Sequence, residues 1–367
     1  MASGPALVIR LSSLGDVLLA AHLPSLLRAA SPGRRVLFMT KERFADILRG
    51  HPDIDRFYVL EDGSSDPAAP GPLGVKGSSG DFRLPLRREG IEEIFDLQQN
   101  LRASNATRSL ESAKRVSFEK HGIRRRLLVH ARWLHPEPLP PLLRRYRVVA
   151  GLPESAPLRP WLRDALSEGE VARARERLGP LGERGFVLIA PGSRWATKRW
   201  PARHAAALGA LLAEKTGLSV RYAVGPDDEA TAKELVAQLS ASGRIDSGPE
   251  AILSLGIREA AAVAARARAI VSSDSALLHF GPALGVPAVG LFGSTVPGFG
   301  FASGEPRDAV AEVDLPCRPC DVHGKDRCPL RHHACMERLE PALVFERLRP
   351  LLDAARAPAR PAEATRA

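Results

Sequence analysis

The sequence predicts an α/β protein of two domains, each built on a parallel sheet. Short apolar runs alternate with amphipathic segments along most of the 367 residues. Strand–helix–strand alternation is typical of parallel sheets with helical crossovers. At roughly 100–200 residues per domain, the length indicates two or three domains. A proline-rich stretch at residues 148–166 separates two such series and is interpreted as an interdomain linker.

Each predicted element of the first half follows from a local pattern. The apolar run at residues 6–11 is typical of a buried strand, and the next amphipathic stretch stops at Ser31-Pro32-Gly33. The predicted elements are a strand at 6–11, a helix at 17–30, a strand at 35–39, a helix at 42–49 and a strand at 56–60. The Gly-, Ser- and Pro-rich residues 61–85 predict a surface loop, after which residues 91–97 resume as a helix end and a strand.

The second half repeats the same alternation. Residues 186–190 form an apolar run typical of a buried strand, and the Ala/Leu-rich helix that follows ends at Gly217. The predicted strands are 186–190, 218–224, 269–273 and 288–292, and the predicted helices are 167–178, 203–215, 228–239 and 259–268. We predict domains at 1–155 and 165–335, a helix at about 340–356 that packs back across the first domain, and a frayed tail at 357–367.

The composition excludes several classes of protein. Hydrophobic residues make up 44% and charged residues 26%, which excludes a disordered or collagen-like chain. No apolar run approaches the roughly 18 residues of a spanning helix. The start, MASGPALVIRLSSLGD, lacks the basic and apolar regions of a signal peptide, so a cytoplasmic location is expected. A net charge of +10 indicates an anionic partner.

Much of the positive charge lies in residues 101–133, which contain nine Lys and Arg against two Glu. A run of this kind is often a solvated face, and the alternative is a surface for a ligand rich in phosphates or carboxylates. Nucleic acid fits poorly, because only Phe118 and Trp133 are available to stack on bases. The candidate contacts with an anionic ligand are Arg124, Arg125 and Arg126.

The first chemical motif is Ser12-Ser13-Leu14-Gly15-Asp16, between the first strand and helix. No G-x-G-x-x-G or Walker A sequence occupies this place. Gly15 suits a position where a Cβ would block the turn or a close approach. Asp16 has two interpretations, as a helix-capping residue or as a general base at the carboxyl end of a strand, where open α/β sheets bind their ligands.

Two further strand–turn–helix clusters carry hydroxyls and charges. In PGSRWATKRWP, the side chains of Ser193, Thr197 and Lys198 suit a diphosphate, although a structural turn with incidental charge is the alternative. In SSDSALLH, Asp274 is suited to accept a hydrogen bond from a sugar hydroxyl. His279 shares that turn, although a lone His is more often a satisfied core residue.

In this order, SSLGD, PGSRWATKRWP and SDSALLHFGPALGVPAVGLFGST resemble glycosyltransferase family 9, the ADP-heptose:lipopolysaccharide heptosyltransferases. The resemblance runs from Leu7 to about Leu352. It implies the GT-B fold, with two Rossmann-like domains whose parallel sheets face each other across a cleft. The first domain would receive the acceptor and the second the nucleotide sugar. The KRWP and SDS-type loops resemble heptosyltransferase II more than I.

The resemblance also implies residue roles. Asp16 matches the family's proposed catalytic base, and Ser13 lies in its donor-contacting loop. The other donor-binding residues that the resemblance implies are Ser193 and Lys198 at the phosphates, Asp227 at the ribose, Leu255 near the adenine, and Asp274, Ser275, Ala276 and His279 at the heptose and diphosphate. Ala276 departs from the family, which usually has Gly there.

Two motifs raise the question of a metal. Asp53-Ile54-Asp55 has the spacing of a metal-binding D-x-D, but it precedes a strand of the first domain and is interpreted as a turn, so transfer is expected to need no metal cofactor. All four cysteines lie close together in sequence, at Cys317, Cys320, Cys328 and Cys335. This density suits a structural zinc site, while an unligated thiol cluster or occasional disulfides remain alternatives.

The sequence therefore predicts an inverting transferase that moves heptose from ADP-L-glycero-D-manno-heptose to the inner core of lipopolysaccharide. Its expected partners are that donor, the anionic acceptor and the inner membrane surface, with no role for nucleic acid. The alternatives are a related transferase with another nucleotide sugar or acceptor, and a non-catalytic protein that binds anionic glycans.

Overall fold

The computed structural model describes residues 4–61, 75–77, 83–116, 118–119, 121–131, 137–182, 185–225, 228–241 and 249–356. Within these residues the chain forms two parallel six-stranded sheets. The first sheet contains β1 (Ala6–Ile9), β2 (Val36–Lys41), β3 (Arg56–Leu60), β4 (Val75–Gly77), β5 (Glu93–Asp96) and β6 (Lys114–Val116). The second contains β7 (Phe186–Ala190), β8 (Ser219–Val224), β9 (Ile252–Ser254), β10 (Ala269–Ser273), β11 (Ala288–Phe292) and β12 (Asp308–Glu312).

Both sheets reverse their strand order at the centre. The first has the order β4-β3-β2-β1-β5-β6 and the second β12-β11-β10-β7-β8-β9. The order therefore switches between β1 and β5 and between β7 and β10, where Ile9 pairs with Asp96 and Ser272 with Ala190. In open α/β sheets, ligands bind outside the carboxyl ends of the strands at such a switch point.

The helices that precede the second sheet are α1 (Leu14–Ala20), α2 (His22–Ala30), α3 (Glu42–Ala45), α4 (Arg83–Arg88), α5 (Leu101–Ala106), α6 (Gly122–His130), α7 (Leu142–Val149), α8 (Trp161–Ala165) and α9 (Glu168–Leu178). The later helices are α10 (Ala202–Thr216), α11 (Glu229–Ala241), α12 (Ile257–Ala264), α13 (Phe280–Leu284), α14 (Ala334–Glu337) and α15 (Pro341–Arg356). The strands predicted at 56–60, 186–190, 269–273 and 288–292 are confirmed.

The single helix predicted over residues 17–30 is in fact two helices, α1 and α2, which meet at Ala21. Pro24 explains the break, because it has no N–H to donate to the carbonyl of Ala20. The break redirects the chain while α2 still buries Leu23, Leu26 and Leu27 against the first sheet's core.

The final helix, α15, packs on the second domain, so the expectation that it crosses back over the first domain is wrong. It lies against α10 and against β10, β11 and β12. Its buried face carries Val344, Leu348 and Leu352, which share one apolar cluster with Val289 and Leu291 of β11. The spacing of four residues places these side chains on one stripe, and the apolar surface of the second sheet is nearest to that stripe. The tail at 357–367 lies outside the described residues.

The linker region joins the two domains through buried contacts. Trp161 of α8 is fully buried and stacks on His51 of the first domain at 4.6 Å between ring centroids. On the other side, Arg147 of α7 makes two bonds, of 2.8 and 2.9 Å, with the carboxylate of Glu305. These contacts join the linker helix to the first domain and α7 to the second domain. No helix among the described residues is long and apolar enough to cross a bilayer.

Candidate active site

The turn after β1 places Asp16 at the switch point of the first sheet. Ser13 precedes α1, and Asp16 is the third residue of that helix. Oδ2 of Asp16 accepts hydrogen bonds from the Ser13 backbone N–H at 3.0 Å and from the Ser13 hydroxyl at 2.9 Å. The interpretation of Asp16 as a capping residue is therefore confirmed by its contacts.

A further charge holds the same carboxylate. The guanidinium of Arg10, at the end of β1, lies 2.8 Å from Asp16 Oδ2 and also donates to the carbonyl of Leu97 after β5. Burial alone would raise the pKa of Asp16, but Arg10 and the Ser13 hydrogen bonds outweigh it, so the pKa lies below its ordinary value. Sequence reasoning missed Arg10, although its place directly after a strand was a usable signal.

The contacts leave one carboxylate oxygen available. The contacts that Asp16 makes with Ser13 and Arg10 involve Oδ2. Oδ1 can therefore accept a proton while Oδ2 holds the side chain in place. An ionised carboxylate with one bound and one available oxygen is suited to act as a general base.

The second domain places Lys198 and Asp274 together at its own switch point. The ammonium of Lys198, from the turn after β7, lies 2.7 Å from Asp274 Oδ2, after β10. Thr295, after β11, donates its hydroxyl to the same oxygen at 2.6 Å. A lysine ammonium has three donors, so Lys198 retains two for phosphate oxygens. The sequence analysis did not select Thr295.

His279 connects the two domains at the cleft. A Cβ built on Gly15 would lie 2.8 Å from His279 Cδ2, so only glycine allows α1 to approach this ring. The prediction that Gly15 permits a close approach is confirmed, and the group that approaches is the imidazole. Burial lowers the pKa of His279 and Lys198 lowers it further, whereas Asp274 and Asp16 act in the opposite direction. The ring therefore lies among the charged groups of both domains.

Other predicted donor residues lie around this centre. Ser275 precedes the short helical turn Ala276–His279 and lies 3.2 Å from the hydroxyl of Ser272. The Cα of Ala276 lies 3.6 Å from the built Cβ of Gly15, so this residue is at the junction of the domains. Ser193 is buried, and its carbonyl accepts from Arg199 at 2.8 Å. Their contacts with a donor stay a prediction.

The hydroxyl of Thr197 makes hydrogen bonds within the protein. Its hydroxyl donates to the carbonyl of Lys325 at 3.0 Å and accepts from the Lys325 N–H at 2.8 Å. The single hydroxyl proton is thus used within the protein, and the side chain is buried. Binding of the diphosphate by this hydroxyl stays a prediction. Leu255 is buried after β9, and Asp227 lies outside the described residues.

The three arginines of α6 do not form one surface. Arg125 turns inward, donates to the Phe299 carbonyl at 3.1 Å and lies 4.5 Å from the centroid of the Phe301 ring. Burial lowers the pKa of Arg125, and Arg145 adds to this, while Asp16 opposes it. Arg124 pairs with Glu137 at 2.8 Å, and Arg126 is exposed. Only Arg125 therefore approaches the cleft carboxylate.

The cysteines are all free thiols, with Cys335 buried and Cys317, Cys320 and Cys328 half-buried. Burial raises the pKa of Cys335 to about 11. Among the described residues, no group of three or more His, Cys, Asp or Glu side chains is arranged to hold a metal ion. A structural zinc therefore stays a prediction that this geometry does not support.

The D-x-D pair lies in a turn, as predicted. Asp53 is buried and accepts from the Ser25 hydroxyl at 2.6 Å, and Asp55 forms an ion pair with Arg28 at 2.6 Å. Both carboxylates are engaged in structural contacts between α2 and the turn before β3.

Comparisons with known proteins agree with this architecture. The model of glycosyltransferase family 9 (heptosyltransferase) matches residues 81–329. Lipopolysaccharide heptosyltransferase 1 of Pseudomonas aeruginosa is 28% identical over 340 residues, covering 86% of this chain and 85% of that protein. Lipopolysaccharide heptosyltransferase 2 of Escherichia coli is 25% identical over 304 residues, covering 80% and 84%. These identities do not separate the two types, so the preference for heptosyltransferase II stays a prediction.

Among solved structures, that of E. coli ADP-heptose lps heptosyltransferase II has a TM-score of 0.68 at 20% sequence identity. The matched region covers 96% of this chain and 100% of the solved one. This likeness confirms the predicted GT-B arrangement of two parallel-sheet domains. The family model spans well over half of the sequence, and the chain belongs to glycosyltransferase family 9, the heptosyltransferase family, and is an enzyme of that type.

Proposed function

We propose that this enzyme transfers heptose from ADP-L-glycero-D-manno-heptose to the inner core of lipopolysaccharide, with inversion at the anomeric carbon. The proposal rests on one observation. Asp16 of the first domain lies close to His279, Asp274 and Lys198 of the second domain. A base on one domain and a cation with sugar-binding groups on the other are the parts that a single displacement needs.

In the proposed reaction, Oδ1 of Asp16 takes the proton of the acceptor hydroxyl as its oxygen attacks the anomeric carbon. The bond between that carbon and the diphosphate oxygen breaks, and the leaving ADP carries away the electron pair. Lys198 neutralises charge that develops on the diphosphate, and Asp274 accepts from a sugar hydroxyl. Side chains of the protein thus take up the proton, neutralise the diphosphate and bind the sugar hydroxyl. We therefore propose that transfer needs no metal cofactor.

Arg125 is the side chain of α6 that we assign to the acceptor. Its guanidinium is held beside the cleft by Phe299 and Phe301, within electrostatic range of Asp16. An arginine there suits the carboxylates and phosphates of an inner-core acceptor. Arg124 and Arg126 lie further out and would add to the general attraction of anionic molecules.

The outer face of α6 supports contact with a membrane surface. Ile123 is 77% exposed and Leu127 is 39% exposed, and they lie one helical turn apart. Arg126 is exposed between them. Exposed aliphatic side chains with basic neighbours suit the interface of an anionic bilayer. Because a helix is only about 10–12 Å across, docking this face would keep Arg125 near a lipid-anchored acceptor. We propose peripheral binding at the cytoplasmic face of the inner membrane.

A turnover assay with ADP-heptose and defined inner-core acceptors tests the proposal. The expected result is release of ADP that depends on both substrates, together with a glycosylated acceptor. If ADP-heptose gives no turnover and another nucleotide sugar does, the proposed donor is wrong.

The second candidate function is that of a related transferase that uses another donor. Measuring the rise in Tm with different nucleotide sugars distinguishes it from the first. A ligand at about 100 times its Kd stabilises the folded state by about 2.7 kcal/mol. The preferred nucleotide sugar among ADP-, UDP- and GDP-sugars should raise the Tm most. Stabilisation by none of them would contradict the nucleotide-sugar site that we propose at Lys198 and Asp274.

A further inference from the structure

Residues 317–325, which we name the strap, bond to both loops that surround Asp274 in the proposed donor site. The strap lies after β12 and contacts two loops, the one after β7 that carries Lys198 and the turn after β11 that carries Thr295. These loops flank Asp274 on its two sides. The strap itself contributes no group to the roles proposed above, so its contacts call for another explanation.

Arg318 anchors the strap to the turn after β11. One guanidinium nitrogen, which carries two hydrogens, lies within hydrogen-bond distance of the carbonyls of Phe292 and Thr295, both at 3.0 Å, and of the Glu312 carboxylate at 2.8 Å. The side chain also donates to the carbonyl of Gly293, and its side-chain exposure is only 6%. A planar guanidinium can satisfy several fixed acceptors at once, which a lysine cannot do. Arg318 therefore fixes the backbone from which Thr295 reaches Asp274.

The other end of the strap holds the lysine-bearing loop. Lys325 exchanges hydrogen bonds with Thr197, whose N–H donates to the Lys325 carbonyl at 3.1 Å. The preceding Gly324 has a φ of +108°, and a Cβ there would lie 2.8 Å from the Cβ of Trp195. Glycine is thus required both by the backbone conformation and by the close packing. Lys198 follows Thr197 directly, so this end sets where its backbone lies.

We propose that the strap is a positioning element that sets the distance between Lys198 and Asp274, with Arg318 as its central positioning residue. Arg318 acts through Thr295 on the carboxylate, and the Lys325 backbone acts through Thr197 on the ammonium. The inference rests on the proposed donor site and adds the residues that hold it together. Loosening either end should misplace the diphosphate relative to the acceptor, without altering the base on the first domain.

Two strap variants and one control test this. Arg318→Lys keeps the charge but loses the planar guanidinium that serves several acceptors. Gly324→Ala introduces the clash with Trp195. The control, Arg34→Met, removes a comparably buried arginine that bonds the Gly4 carbonyl and Glu93 in the first domain. Because a misplacement of about 1 Å can cost about 100-fold, kcat/KM for the donor should fall on the order of 10- to 100-fold in both strap variants. The acceptor KM should stay near that of the wild type.

Arg34→Met should lower the Tm without a rise in the donor KM. A fall in donor kcat/KM that merely follows Tm across all three variants would overturn the proposal, since it would reduce the strap to a stabilising element. Unchanged donor kinetics in both strap variants would overturn it as well.

Hydrogen–deuterium exchange provides a readout that needs no donor. The Thr197 amide is bonded to the strap, so Gly324→Ala should speed its exchange while the control should not. If the wild type uses a different nucleotide sugar, the proposed donor fails while this exchange result still decides the strap. Unaltered Thr197 exchange in Gly324→Ala would overturn the positioning role.

Discussion

Replacing Asp16 by Asn or Ala separates two roles that this side chain holds together. Asp16 caps α1 through the Ser13 N–H and is also the proposed base. Asparagine retains an oxygen that can accept from Ser13, whereas alanine retains none. Both variants lose the negative charge that pairs with Arg10.

The structure gives different magnitudes for the two roles. General-base catalysis contributes about 10²–10⁴-fold, which corresponds to about 2.7–5.4 kcal/mol in the activation free energy. A single hydrogen bond contributes about 0.5–1.5 kcal/mol to the free energy of unfolding. For domains of this size, about 1 kcal/mol shifts the Tm by about 2–4 °C. The two variants should therefore lose similar kcat, while only Asp16→Ala loses the stability of the cap.

The assay is donor- and acceptor-dependent ADP release, measured beside the Tm and the donor Kd. Asp55→Asn is the matched control, because this carboxylate also pairs with an arginine and accepts from a backbone N–H, that of Val36. It should lower the Tm and leave kcat unchanged. Near-normal kcat in Asp16→Asn would refute the base assignment, as would a kcat that follows Tm through all three variants.

Three further predictions concern the cleft and its surroundings. In Gly15→Ala, the new methyl would clash with His279, so kcat should fall on the order of 10- to 100-fold with little change in Tm; an unchanged kcat would show that the close approach is not needed. In Arg10→Gln, only the Ser13 hydrogen bonds still oppose the effect of burial, so the pKa of Asp16 should rise and the acid limb of the kcat–pH profile should move to higher pH; a limb that does not move would contradict this. Replacing Ile123 and Leu127 by Ser should weaken co-sedimentation with vesicles containing phosphatidylglycerol and spare turnover of a water-soluble acceptor; undiminished binding would exclude α6 as the docking face.

The central strands could be predicted from sequence, because buried parallel strands read as continuous apolar runs. The clusters after β1, β7 and β10 were found for the same reason, since each follows such a run. Three-residue edge strands such as β4, β6 and β9 were not predicted, because so short a run carries little periodic signal.

The missed residues depend on side-chain contacts that the sequence pattern does not show. Arg10 matters through its bond to Asp16, and Thr295 through its bond to Asp274, 21 residues away. The Thr197 hydroxyl bonds to the backbone of Lys325, 128 residues distant, a contact that no local sequence pattern indicates. The sequence of α6 also conceals which arginine turns inward, since three consecutive residues point in three directions on a helix.

The sequence analysis treated capping and base catalysis as alternatives for Asp16, yet the structure makes them compatible, because a carboxylate has two oxygens. Oδ2 receives Ser13 and Arg10, which fixes the rotamer and keeps the group ionised. Oδ1 is thereby directed away from these partners and is the atom left to take a proton. Asparagine can place its oxygen at the Oδ2 position to cap the helix, which puts its NH2 at the Oδ1 position. There it offers donors where the reaction needs a lone pair, so a folded and stable Asp16→Asn enzyme should still fail at proton transfer.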